Sequence, residues 1–120
     1  MSIERIHGSA RGRARAVIHN GIAHVVATAR SDSRDIAEQT RLTLANLDEG
    51  LALAGSDRSR LINATVYLTN MANKQAMDAV WCDWIGGPDN WPQRACVGTD
   101  LAGNDMVEIV VTAATIDPAV

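Results

Sequence analysis

Arg94 and Glu108 are the two residues of this sequence whose type and surroundings most suggest chemistry. Arg94 stands two positions after Pro92, in the run formed by residues 91–97. Proline fixes its own φ and favours extended backbone in the residue before it, so the arginine is presented from a stiff segment. A planar guanidinium group suits bidentate recognition of a carboxylate. Arg94 is therefore a candidate carboxylate-binding residue, with an ordinary surface or interface ion pair as the alternative.

Glu108 is the only carboxylate in the apolar run formed by residues 106–111. Burying its charge among such neighbours would cost free energy unless it is paired, and a carboxyl group in these surroundings suits general acid–base catalysis. The alternatives are that Glu108 points to solvent or pairs structurally with an arginine. Cys96, two positions after Arg94, would share its strand face and is either part of the same site or a small core residue.

The sequence indicates no other kind of reactive site. His7, His19 and His24 are scattered, and no helix carries a His-x3-His spacing, so we expect no metal. No P-loop, GxGxxG or GxSxG motif is present, and we expect no cofactor. The two cysteines, Cys82 and Cys96, form no CxxC pair and are interpreted as reduced thiols.

The composition predicts one small domain that spans residues 1–120. A chain of 12.8 kDa is the size of a single domain. Its apolar fraction of 47% is typical of a folded protein, but three Trp, one Tyr and no Phe leave the core to smaller side chains. Smaller side chains bury less apolar area each. Association with further copies of the chain is therefore a plausible way to bury more surface.

The charge balance argues against nucleic acid as a partner. The net charge is −3 and the isoelectric point about 5.5, whereas nucleic-acid binding usually needs a basic surface. Arginines cluster near the N-terminus, at Arg5, Arg11, Arg13 and Arg15, either as a solvated edge or as a group that faces an anion. We find neither an apolar run long enough for a membrane span nor a signal peptide, so we expect a cytoplasmic protein without membrane partners.

The elements that must position these residues begin with three strands and a helix. Residues 3–6 alternate as an edge strand, and residues 7–12 form a loop. Two β-prone runs, 16–19 and 22–27, flank Asn20-Gly21, which is the strongest short-range signal for a hairpin. An apolar stripe predicts a helix over residues 35–54, with Asp35 and Glu38 as a capping box and Gly55 at its end.

The second half predicts a strand, a helix and two more strands. Residues 61–68 alternate as a strand, with Tyr67 expected in the core. The second helix carries Trp81 and Trp84 on one face, begins at Asn73 and stops at Gly86. Residues 94–99 and 106–116 are strands on either side of an Ala-Gly-Asn turn. This order predicts an α+β fold of two layers, a sheet with both helices on one face and other copies of the chain on the other.

The chain resembles the Rid (YjgF, L-PSP) family, and within it most closely the short YoaB-like branch. The resemblance covers nearly the whole chain and is carried by AVIHNG, AEQTRLTLANLDEGLALAG, LINATVYLTN, AMDAVWCDWI, PQRACV and VEIVVTAA. It implies the chorismate-mutase-like fold with a mixed sheet. It also implies a homotrimer with a central β-barrel and three ligand clefts between subunits.

The resemblance implies roles for the two residues singled out above. In deaminases of this family the residue matching Arg94 holds the substrate carboxylate, and the residue matching Glu108 positions or activates water. The backbone carbonyl of Cys96 would help to orient that water. The implied reaction hydrolyses reactive 2-imino and 2-enamino acids to 2-keto acids and ammonia, so the implied partner is a small carboxylate-bearing imine, enamine or keto acid.

The chain departs from the family pattern at three places. Arg13 stands where family deaminases have a tyrosine, residues 26–29, which include Ala27, replace Ser-Gly-Gln, and Asp78 replaces an asparagine. The hydroxyl groups lost at the first two places order substrate and water, and each is worth about one to three kcal/mol when buried. Taken together, the resemblance implies substrate binding by Arg94, Cys96, Arg13 and Ala27. A module that binds a small carboxylate without catalysis is the alternative.

Overall fold

The structure, a computed structural model, describes residues 2–116. Short 3-10 turns join several of its elements, and none of its helices in this range is long and apolar enough to cross a membrane. The described residues form six strands and two helices, which are β1 (Glu4–His7), β2 (Ala14–His19), β3 (Ile22–Thr28), α1 (Ile36–Leu53), β4 (Leu61–Leu68), α2 (Lys74–Ile85), β5 (Gln93–Gly98) and β6 (Val107–Ala114).

The strands form one mixed sheet in the order β1-β2-β3-β6-β4-β5. Every neighbouring pair is antiparallel except β4 and β5, which run parallel because α2 carries the chain back to the same end of the sheet. The turn at Ala102-Gly103-Asn104 does separate β5 from β6, but the two strands are not neighbours. Strand β6 lies between β3 and β4, and β5 is left at the edge of the sheet.

Both helices pack on one face of the sheet, which confirms the predicted two-layer α+β class. The core between the layers is aliphatic, as the composition predicts. Its largest fully buried members are Leu44, Leu47, Leu51, Leu68, Met77, Ile85 and Ile109. Trp81 joins this core and is 5% exposed, whereas Trp84 packs against it from the rim.

Within residues 2–116, the opposite face of the sheet carries no helix. Buried and accessible residues alternate along β6, so Glu108 and Val110 lie on this open face, with Val110 38% exposed. Tyr67 pairs with Glu108 across β4 and β6 and therefore lies on the open face as well. The expectation that Tyr67 is a core residue is wrong, because its position in the alternation points it away from the helices.

Local signals set the turns and most helix ends. Asn20 and Gly21 adopt positive φ angles of 52° and 76°, as a two-residue hairpin turn requires. Asp35 accepts a hydrogen bond from the Ala37 N–H at the start of α1. The predicted capping box is incomplete, since Glu38 accepts from the Ser33 hydroxyl instead of the Asp35 N–H.

The start of α2 differs from the prediction. Asn73 occupies the N-cap position but makes no side-chain capping bond. Asn70 instead accepts from the Ala72 N–H and caps the short 3-10 turn that precedes the helix. The cap lies three residues earlier because this turn runs directly into α2.

Candidate functional site

A cavity of about 470 Å³ opens beside the end of β3 and the start of β6. Its walls include the loop between β1 and β2, the segment that follows β3, and the turn that leads into β6. The cavity brings together three of the predicted site residues, which are Arg13, Ala27 and Glu108. This size falls within the range of small-molecule sites in proteins.

Glu108 is the second residue of β6 and reaches this cavity from the open face of the sheet. It is half-buried and lies between Thr28 on β3 and Tyr67 on β4. None of the four ion pairs within residues 2–116 includes Glu108. The alternative of a structural arginine pair is therefore not realised among the described residues, and the carboxylate remains available to a water or a ligand.

Arg94 lies on the edge strand β5 and faces α2. Its Nη2 donates to Oδ1 of Asp78 at 2.6 Å, and its Cζ lies 5.2 Å from the ring centroid of Trp81. Its Nη1 approaches Sδ of Met77 at 3.9 Å. The side chain is 18% exposed, so it is held in place and still reachable from outside. The ion-pair alternative stated for Arg94 is thus present in the structure.

Asp78 is the centre of a small charge cluster. It accepts from Nζ of Lys74 at 2.7 Å as well as from Arg94. Burial acts to raise the pKa of Asp78, but the hydrogen bonds from Lys74 and Arg94 outweigh it and hold the pKa below its usual value. Asp78 is therefore ionised at neutral pH, and any ligand carboxylate that approaches Arg94 must share the guanidinium with it.

Cys96 is half-buried on the same side of β5 as Arg94 and packs against the core. Its register partner on β4 is Val66, which is fully buried. The Cys96 side chain thus packs with the core, which was the alternative stated for it, and its backbone lies at the edge of the sheet. Within the described residues no group of three or more His, Cys, Asp or Glu side chains is arranged to hold a metal ion.

The structure divides the predicted site residues into two groups. Arg94 and Cys96 lie on the helix-covered face at the edge of the sheet, whereas Arg13, Ala27 and Glu108 line the cavity. Strand β4 separates β5 from β6, which places the two strands roughly 10 Å apart. Since Arg94 and Glu108 also point to opposite faces, those of one chain do not meet on one small ligand.

Two lining residues were not expected from the sequence. Arg30 follows β3 and adopts a positive φ of 55°, and Asp105 precedes β6. Burial raises the pKa of Asp105 above its usual value. Neither residue belongs to a periodic pattern, and the polar segment after β3 reads as an ordinary loop, so only the tertiary structure reveals that they face the cavity.

Comparison with known proteins gives a consistent result. The family model described as Endoribonuclease L-PSP matches residues 11–115. A RutC family protein of Haemophilus ducreyi is 43% identical over 99 residues, covering 81% of this chain and 84% of that protein. The RutC family protein YoaB of Escherichia coli K12 is 33% identical and covers 95% of this chain and 99% of its own.

Solved structures agree with these matches. A member of the YjgF protein family from Neisseria meningitidis superimposes with a TM-score of 0.90 at 34% identity, covering 98% of both chains. Yeast Mmf1 superimposes with a TM-score of 0.89 at 20% identity, which shows the shared fold alone.

Proposed function

Because this chain belongs to the Rid (YjgF, L-PSP) family, we propose that it hydrolyses reactive 2-imino and 2-enamino acids to 2-keto acids and ammonia. The observation that carries this proposal is the position of Glu108. An unpaired carboxylate faces a cavity of substrate size, at the position that matches the water-activating residue of family deaminases. Arg94 supplies a carboxylate-binding group at the edge of the same sheet.

The proposed active site requires two copies of the chain. Arg94 and Glu108 of one chain point to opposite faces, so a substrate that touches both must bind between subunits. The open face of the sheet, with Val110 exposed, provides the surface through which copies would associate. We propose a homotrimer in which the edge of one subunit, with Arg94 and Cys96, completes the cavity of its neighbour.

The proposed reaction follows from the chemistry of these groups. Arg94 of one subunit binds the substrate carboxylate, and the backbone carbonyl of Cys96 orients a water molecule. Glu108 of the neighbouring subunit accepts a proton as this water attacks the C=N carbon. That proton passes to the nitrogen and gives a carbinolamine. Glu108 then carries the proton of the new hydroxyl group to the nitrogen, the C=O bond forms as the C–N bond breaks, and ammonia leaves a 2-keto acid. An enamine first takes a proton on its β-carbon to become the imine.

Arg13 stands where family deaminases have a tyrosine, and Ala27 lies in the segment that replaces their Ser-Gly-Gln. Ala27 is 7% exposed and has no hydroxyl, so only its backbone can form a hydrogen bond with a substrate. Arg13 lines the cavity with a cation in place of a phenol. Both differences change the polar groups that the cavity offers to a substrate.

The proposal is tested by generating 2-aminoacrylate with a separate enzyme and following pyruvate release. We expect acceleration over the spontaneous reaction, and a loss of about a hundredfold or more in Glu108→Gln, since general acid–base catalysis contributes about 10²- to 10⁴-fold. Glu4→Gln, an exposed change on β1, is the control and should keep full activity. No acceleration by the wild-type protein, or full activity in Arg94→Ala, would refute the proposal.

The second candidate is a non-catalytic module that binds a small carboxylate in the same place. The bond between Arg94 and Asp78 favours it, because a guanidinium that is already paired holds a substrate carboxylate less strongly. Calorimetry with 2-oxobutyrate or benzoate separates the candidates. Binding without turnover of 2-aminoacrylate would support the module over the enzyme.

A further inference from the structure

Arg13 and Arg30 line the cavity that holds Glu108, and they come from different parts of the chain. Arg13 ends the loop before β2, and Arg30 lies two residues beyond β3. Both side chains belong to exposed residues, and the four ion pairs within residues 2–116 involve other cations. Two arginines without a carboxylate within 4.0 Å among the described residues therefore line the cavity.

The third arginine of this cavity behaves differently. Nη1 of Arg15 donates to Oε1 of Glu49 at 3.2 Å, and its Nη2 donates to the backbone carbonyl of Asn46 at 3.2 Å. Its side chain is only 13% exposed. Arg15 is thus a structural part of the wall, and the contrast identifies Arg13 and Arg30 as the cations open to a ligand.

The backbone of Arg30 gives a second, independent observation. Its φ of 55° lies in the left-handed region, which residues other than glycine, asparagine and aspartate rarely adopt and which costs about 1 kcal/mol or more. The other non-glycine residue with positive φ in the described range, Asn20, is accounted for by its hairpin turn. Backbone strain of this kind concentrates at ligand sites, and at Arg30 it occurs on the wall of the cavity.

The two acidic residues of the cavity do not neutralise these cations by direct contact. Neither Asp105 nor Glu108 forms an ion pair within the described residues. Glu108 is needed as the base in the proposed reaction, and Arg94 of the neighbouring subunit takes the substrate carboxylate. Arg13 and Arg30 therefore have no role in the reaction of a substrate whose side chain is uncharged.

We propose that Arg13 and Arg30 form a second anion-binding point, so that the preferred substrate is a 2-imino or 2-enamino acid whose side chain carries another anionic group. This inference rests on the proposed function for the placement of the first carboxylate. Guanidinium groups bind carboxylate and phosphate groups alike through paired hydrogen bonds. The second group is therefore a carboxylate, as in the imine of an acidic amino acid, or a phosphate.

Calorimetry with product analogues tests the inference without requiring turnover. The probes are 2-oxoglutarate and oxaloacetate as dicarboxylates, 3-phosphohydroxypyruvate as the phosphorylated acid, and 2-oxobutyrate as the reference with an uncharged side chain. We expect one of the two doubly anionic classes to bind about tenfold or more tightly than 2-oxobutyrate, since hydrogen bonds between charged groups are among the stronger ones. The class that binds more tightly identifies the second group.

Variants assign the preference to the two arginines. Arg13→Gln and Arg30→Asn should each lower the ratio of the two affinities by about tenfold. Asparagine tolerates the left-handed region, so the second variant keeps the backbone of Arg30. The matched control is Arg11→Gln, which removes the same charge two residues from Arg13 but outside the cavity wall, and it should keep the wild-type ratio.

The outcomes separate this inference from the proposed function. If 2-aminoacrylate is hydrolysed but neither doubly anionic class binds better than 2-oxobutyrate, the inference is wrong and the deaminase proposal stands. If neither 2-aminoacrylate nor the imine of an acidic amino acid is hydrolysed, but the preference exists and depends on Arg13 and Arg30, the anion-binding point stands and the deaminase proposal fails. An equal loss of the preference in Arg11→Gln would also overturn the inference, because general charge would then explain it.

Discussion

Asp78 controls how strongly Arg94 could hold a ligand. Its carboxylate lies 2.6 Å from the guanidinium and also accepts a hydrogen bond from Lys74, so the pair is already formed within the chain. A ligand carboxylate must therefore share the hydrogen bonds and charge of the guanidinium with Asp78, which lowers the binding free energy that it gains. The aromatic face of Trp81 under Arg94 keeps the group in position, which means that removing Asp78 need not displace it.

Asp78→Asn is therefore expected to strengthen carboxylate binding. The amide keeps the shape of the side chain but removes its negative charge, so we expect the affinity for 2-oxobutyrate to rise by about three- to tenfold. Calorimetry measures this change. Asp83→Asn, an exposed change on the same helix, controls for net charge and should leave the affinity unchanged. An unaltered affinity in Asp78→Asn would show that Arg94 does not bind the carboxylate.

Asp105 predicts a pH-dependent change in stability. Burial raises its pKa in the folded state above the ordinary value of 3.8, so the folded state binds this proton more tightly than the unfolded state. The resulting stabilisation is full below the unfolded pKa and is lost as the pH rises through the folded pKa. Asp105→Asn, which resembles the protonated form, should raise the free energy of unfolding at about pH 7 but not below the unfolded pKa.

Denaturant unfolding of the wild type and of Asp105→Asn, at about pH 7 and again below the unfolded pKa of Asp105, measures the difference in the free energy of unfolding. Asp100→Asn, a change at an exposed position of the same connection, is the control and should show no such pH dependence. A stabilisation that is equal at both pH values would contradict the assignment to the ionisation of Asp105.

At the scale of elements, Gln39 on α1 holds the wall of the cavity in place. It is fully buried, and its Nε2 donates to the backbone carbonyls of Ser33 and Asn104, both at 2.9 Å. Its Oε1 accepts from the Met106 N–H at 2.9 Å. These bonds fix the two residues on either side of Asp105, directly before the start of β6. One side chain of the helix layer thus sets where β6, and with it Glu108, begins.

Gln39→Leu should destabilise the protein by about 3 kcal/mol, because it removes the partner of three part-buried backbone groups and keeps a similar side-chain volume. Urea unfolding followed by circular dichroism measures the loss. Gln75→Leu makes the same substitution at an exposed position of α2 and should stay within about 0.5 kcal/mol of the wild type. A similar small change in Gln39→Leu would show that the network contributes little to stability.

The sequence predicts the elements that local signals specify but not the order of the strands in the sheet. The hairpin at Asn20-Gly21 and the two helices are specified by local signals, and they were predicted with nearly correct limits. The place of β6 between β3 and β4 depends on pairing between distant segments, for which the sequence offers no local signal. Arg94 and Glu108 could be singled out by residue type, but their opposite faces follow from strand order and alternation in the assembled sheet.

At the scale of the whole molecule, the proposed active site requires more than one chain, because Arg94 and Glu108 of one chain point to opposite faces of the sheet. In a closed ring of three identical subunits, each cleft would receive Arg94 from one subunit and Glu108 from the next. The open sheet face would then be buried, and an exposed apolar residue such as Val110 would gain a partner. This arrangement makes a prediction about mixtures of inactive variants that a site within one chain does not make.

Arg94→Ala and Glu108→Gln should therefore complement each other when their subunits are mixed. Random assembly at equal amounts gives about one cleft in four with both native residues, because each cleft draws its two residues independently from neighbouring subunits. Refolding the variants together should restore about a quarter of the wild-type rate of pyruvate release. Glu108→Gln refolded with the doubly substituted chain is the matched control and should stay inactive, since no native Glu108 is present. Wild-type protein taken through the same refolding sets the scale, and a mixture that remains as inactive as its components would place the site within one chain.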